Sequence, residues 1–166
     1  DHRDLHKEYR RQRQMCIRDR LGRVFLGAFD CPFVAVSTLL DELSDNMPLV
    51  VLVDFHAEAT AEKEAMGWHL DGRVSAVVGT HTHVPTADTR ILPKGTAYVS
   101  DLGMVGPLNS IIGADPNDAM GRFLDQVPRR LSMVIDGPAR FNSVLLDIDD
   151  QSGDTISISR VDRYLD

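Results

Sequence analysis

Two short aliphatic runs, Leu49-Val-Val-Leu-Val53 and Val74-Ser-Ala-Val-Val78, constrain this chain more than any other feature. Each has the length of a strand and almost no polar residue, the pattern of a strand covered on both faces in a parallel sheet. Between them, Thr60 to Leu70 is rich in good helix formers (Ala61, Glu62, Lys63, Glu64, Ala65, Met66) and stops near Gly72. Strand, helix and strand with short joints make a βαβ unit, whose crossover is right-handed and whose strands are parallel.

The flanking segments extend this grain. Pro32 to Asp45 predicts a helix, with Pro32 tolerated in its first turn and Phe33, Val36, Leu39, Leu40 and Leu43 near a 3.6-residue period. Thr96 to Ser100 predicts a third strand, followed by a loop-rich stretch in which Gly103, Gly106 and Gly113 serve tight turns. Asp118 to Val127 predicts a helix with Met120, Phe123, Leu124 and Val127 on one side. Ser143–Asp149 and Thr155–Val161 alternate around the turn Asp150–Gly153, which reads as an antiparallel hairpin. The expected fold is therefore α/β, with βαβ units and a carboxyl-terminal antiparallel hairpin, and nothing divides residues 21–166 into two domains.

Charge sets the boundary of that unit. The 166 residues carry a net charge of −7, but residues 1–20 hold seven basic and four acidic side chains, and the rest is −10. The run Gln14 to Arg20, QMCIRDR, resembles translated sequencing-adapter read-through. Residues 1–20 are therefore set aside as a basic tail, solvated or not native, in preference to a basic binding arm. An acidic chain without a basic stripe is a poor dedicated nucleic-acid binder. No apolar run approaches the roughly 18 residues of a membrane span, and a cytoplasmic location is expected. Two cysteines, Cys16 and Cys31, make neither a disulfide scaffold nor a four-sulfur zinc site.

Four of the six histidines fall between His56 and His83. His56 follows the first buried strand in Asp54-Phe55-His56, and His81 and His83 follow the second in Gly79-Thr80-His81-Thr82-His83. In a βαβ unit both sets lie at one carboxyl edge of the sheet, where open α/β folds place their sites. Adjacent strands about 4.8 Å apart let loop imidazoles beyond them converge. Residues i and i+2 of an extended segment share a face, so His81 and His83 reach the same ion or neighbouring ones. Imidazole suits borderline transition metals. His69, beside Trp68 in mid-helix, is read as packed or on the surface. Asp54 and Asp101 are ligands or orienting partners in one reading; a cap or turn acceptor is preferred for both. Glu58, Glu62 and Glu64 are expected to form a solvated face of the first helical turn.

The stretch from Val53 through DFHAEAT and GTHTHV to SDLGMVGP resembles the YmdB-like metallophosphoesterases, within the calcineurin-like phosphoesterase superfamily, over roughly residues 21–163. The resemblance implies a two-metal site on an α/β sandwich, iron or manganese as the metals, and activity on phosphodiesters, particularly 2′,3′-cyclic nucleotides. Carried over by motif, His56 and His81 would bind one metal and His83 the other, and the metals would activate water for in-line attack on phosphorus. His69, Pro85 and Val105 stand where the family usually has tyrosine, glutamine and threonine. The family's first half also supplies an Asp, a Glu-Asn pair and an Asn-His pair whose histidine is the general acid. None of these is found in residues 1–52, so the chain is expected to be the carboxyl-terminal part of such an enzyme, short of ligands and of little turnover alone. The expected partner is a small phosphodiester, with a homo-oligomer left open. Two other readings remain open from the sequence, a metal hydrolase of the amidohydrolase type and a non-enzymatic binding or assembly module.

Overall fold

The first aliphatic run becomes β2 (Val50–His56) and the second becomes β3 (Ala76–Thr80), paired in parallel with His56 level with Thr80. These belong to a computed structural model that describes residues 15–27, 30–128 and 130–166; the side chains of 15–19 lie outside the description. Both strands run further toward their carboxyl ends than the aliphatic count predicts. Along β2, Val51, Val53 and Phe55 are buried, and Asp54 and His56 alternate onto the other face. One face thus goes to the core and the other carries chemistry.

The connecting helix α2 spans Thr60–Leu70, as the sequence predicts. Helix α1 (Pro32–Glu42) ends earlier than expected, because a 3₁₀ turn takes over at Ser44–Asn46. Together they lay Val36, Leu40, Met66 and Leu70 into one cluster with Val51, Val53, Phe55, Val77 and Tyr98. The third expected strand is β5 (Ala97–Val99), which pairs in parallel with β3 and carries an antiparallel edge strand, β4 (Arg90–Ile91).

Met15–Leu21 forms β1, an edge strand parallel to β2, so the five-stranded order is β1-β2-β3-β5-β4. The sequence boundary at residue 20 cuts through this strand. An edge strand needs only one partner's backbone groups, and its own side-chain pattern gave no period to read. The rest of the expected tail, residues 1–14, lies outside the described residues.

The carboxyl-terminal part is antiparallel. β6 (Val105–Pro107), β7 (Ala139–Phe141) and β10 (Arg163–Leu165) form a three-stranded sheet in the order β10-β7-β6. β8 (Val144–Ile148) and β9 (Thr155–Arg160) are the expected hairpin. Thr155 anchors it to the parallel sheet, its hydroxyl donating to the Ser75 carbonyl at 2.7 Å. Helix α3 (Pro116–Asp125) starts two residues before the sequence reading, because Asp115 caps it by accepting the Asn117 N–H at 2.8 Å.

Candidate functional site

The site grows from the register of β2 and β3. With His56 opposite Thr80, His81 is the first residue beyond the sheet and its ring meets that of His56, centroids 4.7 Å apart and planes nearly perpendicular. Gly79 allows the approach of β5, since a Cβ there would overlap the Ser100 carbonyl. Leu102 N–H donates to Gly79 O at 2.8 Å, tying the loop after β5 to the same edge.

The polar contacts form one line. Thr80 Oγ1 donates to Asp54 Oδ1 at 2.8 Å and lies 3.1 Å from His56 Nδ1. His56 Nε2 lies 2.9 Å from His81 Nδ1, and His81 Nε2 lies 2.8 Å from Glu58 Oε2. A hydroxyl has one proton, and that of Thr80 goes to Asp54, so His56 Nδ1 is the donor to Thr80. Glu58 is an acceptor, so His81 Nε2 is the donor there. Both outer nitrogens are protonated, and in neutral rings both inner nitrogens carry lone pairs. Two lone pairs facing at 2.9 Å repel unless a cation lies against both, either a proton or a metal ion. Two cis ligands held about 2.1 Å from one transition metal are themselves about 3 Å apart. The pair therefore fits as two donors to a single cation. Glu58 is thus no solvated bystander of the first helical turn.

His83 obeys the same rule separately. Its Nδ1 donates to Ile112 O at 3.1 Å, which leaves the lone pair on Nε2. Among the described residues no three His, Cys, Asp or Glu side chains close around one point. The expected ligands thus separate into a pair and a single residue. Unusual backbone marks the same place: φ is +110° at His81, +66° at His83 and +47° at Ile112. Such values are disfavoured for side-chain-bearing residues and gather where the surroundings enforce them.

Asp101 does the enforcing. It is buried, accepts Lys63 Nζ at 2.8 Å and takes the N–H groups of Thr82 and Gly103, each at 2.9 Å. Burial alone would push its carboxyl up, but the Lys63 ammonium and the two N–H groups outweigh that and hold it below the usual carboxylate range. It is a turn acceptor, the preferred sequence reading. Asp54 instead acts on His56 through Thr80. Glu62 and Glu64 are also engaged, Glu62 by the N–H groups of Arg23 and Val24 and Glu64 by Arg90 at 2.6 Å. His69 bonds Ser37 at 2.8 Å and packs edge-on against Phe33, away from the site.

Sequence reasoning missed Glu58, Thr80 and Lys63. The alternation Asp54-x-His56-x-Glu58 was the available signal, since it puts three polar groups on one side of an extended chain. Nothing local marks Lys63, whose partner is distant in sequence.

The mostly parallel sheet thus carries its histidines on the carboxyl edge, where open α/β folds place their sites, and the chain belongs to the YmdB-like protein family, whose profile matches residues 5–161. That match starts ahead of the boundary read from charge. The 2′,3′-cyclic-nucleotide 2′-phosphodiesterase of Bacillus subtilis (strain 168) is 46% identical over 149 residues, covering 90% of this chain and 56% of that protein. A crystal structure of a hypothetical protein from Thermus thermophilus has a TM-score of 0.83 at 42% identity, covering 90% of this chain and 57% of that one. A novel phosphatase from Mycoplasma pneumoniae has a TM-score of 0.80 at 35% identity, covering 89% and 52%. The chain spans little more than half the length of these relatives. No helix among the described residues is long and apolar enough to cross a membrane.

Proposed function

We propose that residues 21–166 are the carboxyl-terminal part of a metal-dependent phosphodiesterase acting on small phosphodiesters such as 2′,3′-cyclic nucleotides. In this reading His56 Nε2 and His81 Nδ1 hold one ion of an iron or manganese pair, and His83 Nε2 contributes to the other. The observation that carries it is the proton placement: every outer nitrogen has an acceptor, so every remaining nitrogen is a donor atom. The cysteine-free donor set and the 46% identity to a cyclic-nucleotide phosphodiesterase support the same reading. When bound, such cations neutralise charge on phosphoryl oxygens and acidify water. The chain's own residues orient the donors, and the remaining ligands and the general acid come from outside the described residues. A cytoplasmic location accompanies this proposal on the family resemblance alone.

The test is manganese binding by the full chain, together with hydrolysis of bis-p-nitrophenyl phosphate and 2′,3′-cyclic AMP. Binding lost in His56→Ala and His81→Ala, with slow or no turnover, is the expected result. Binding that is unchanged in both variants would sink the metal reading. Robust turnover abolished by His81→Ala would overturn the partial-site element.

A further inference from the structure

We propose that Glu58 and the Thr80–Asp54 pair are positioning residues that set which nitrogen of each paired imidazole faces a cation. The inference rests on the metal reading above and adds residues to it. Glu58 keeps the His81 proton on Nε2 through a 2.8 Å contact, which turns Nδ1 inward. Thr80 keeps the His56 proton on Nδ1 at 3.1 Å, which turns Nε2 inward. Asp54 acts one step back, taking the Thr80 proton at 2.8 Å so that the hydroxyl can only accept from the ring. Without these partners either ring is able to flip or change tautomer, and a flipped ring points N–H at the cation.

The two devices differ in chemistry. Glu58 is a carboxylate at the surface, with its side chain 49% exposed, so water competes for the His81 proton when it is absent. Thr80 is less exposed and is locked by Asp54 from the neighbouring strand on the same face of the sheet. Partners of this kind commonly change metal affinity by about 10–100-fold. Glu58→Ala belongs near the lower end of that range and Thr80→Val near the upper end.

The experiment titrates cobalt(II) alone into the full chain at one fixed pH. Visible absorption reports coordination, and the titration gives Kd. Wild type is compared with His81→Ala, Glu58→Ala, Glu58→Gln, Thr80→Val and Thr80→Ser, with circular dichroism confirming the fold of each. The expected pattern is loss of binding in His81→Ala, weakening by about tenfold in Glu58→Ala and more in Thr80→Val. Glu58→Gln and Thr80→Ser, which keep an acceptor oxygen, recover most of the affinity and the wild-type spectrum. If His81→Ala abolishes binding but Glu58→Ala and Thr80→Val bind like wild type, the positioning inference is wrong and the metal reading survives. If wild type fails to bind, or His81→Ala binds as wild type does, the metal reading falls and takes this inference with it. Glu58→Gln and Thr80→Ser binding as poorly as Glu58→Ala and Thr80→Val would also overturn it, since hydrogen bonding would not be the cause. Should Thr80→Val fail to fold, the two Glu58 variants decide the outcome at the surface position.

Discussion

Replacing Lys63 by methionine tests whether a buried ion pair supports the histidine loop. Lys63 Nζ and Asp101 Oδ2 are 2.8 Å apart and each side chain is only 2% exposed, so solvent screens neither charge. Removing one partner of such a pair costs about 3–5 kcal/mol, because the other charge stays buried. Asp101 also holds the Thr82 and Gly103 N–H groups, and leaving each unpaired costs about 1–3 kcal/mol. Asp101→Ala is therefore worse than Lys63→Met, since it strands an ammonium and two amides together. The double variant Lys63→Met/Asp101→Ala strands only the amides, about 2–6 kcal/mol, and should be no less stable than Asp101→Ala alone. Urea unfolding followed by circular dichroism at neutral pH measures all three. A loss of under about 1 kcal/mol in Lys63→Met, the size of an exposed pair, would refute the argument, as would simple additivity in the double variant.

Acid adds an independent check. The folded Asp101 carboxyl lies below its ordinary value, so its contribution is present above about pH 4 and disappears as pH falls through the folded value. Lys63→Met removes the ammonium and leaves the burial, so acid relieves an uncompensated buried charge and the variant loses less stability than wild type as pH falls. The stability gap between wild type and variant should then narrow in acid.

Three further outcomes follow from packing and backbone. Gly79→Ala, which drives a methyl into the Ser100 backbone, should lower the unfolding free energy measured in urea by more than the roughly 1–3 kcal/mol of ordinary overpacking, because the obstacle is backbone directly following β5 and not a flexible side chain. Burial pushes the Tyr98 phenol up to about 12, outweighing its hydrogen bond to Ser100. An ultraviolet titration should therefore show one tyrosine ionising near that pH, absent in Tyr98→Phe, with its stabilising contribution intact below about pH 10 and lost progressively as pH rises toward about 12. His81→Gly should be more stable than His81→Ala by about 1–2 kcal/mol in the same unfolding assay, since only glycine is at ease at a φ of +110°. Equal stability of the two would show that His81 is not strained.

The fold was legible where residues repeat a pattern long enough to have a period. Thr60–Leu70 is bounded by its own helix formers and by Gly72, and the two aliphatic runs announce their strands. Both strands nevertheless extend to His56 and Thr80, because polar residues at a sheet's edge continue the backbone ladder without continuing the apolar run. Strands as short as Arg90–Ile91 or Val105–Pro107 have no period at all, and β1 depends on β2 for its existence. The histidines could be placed because strand ends fix them. Glu58 looked like one of three similar glutamates at the start of a helix, and only the loop returning after β3 distinguishes it.

The same contrast explains why the site lies where local rules fail. His81, His83 and Ile112 hold backbone angles that their own side chains disfavour by about 1–3 kcal/mol each. Isolated loops with those residues would relax, turning the imidazoles away from the sheet edge. They do not relax because the Thr82 N–H, between the two histidines, is held by Asp101, and Met104 N–H holds the His83 carbonyl at 3.1 Å. A buried ion pair is a weak reason for stability in general, since an apolar pair of the same shape often serves as well. Here an apolar pair could not accept two amide protons. The charge on Asp101 is useful because it can bind those amides at once, and Lys63 is what allows that charge to stay buried. The ion pair and the strained histidines are therefore one arrangement: the first supplies the constraint that the second requires.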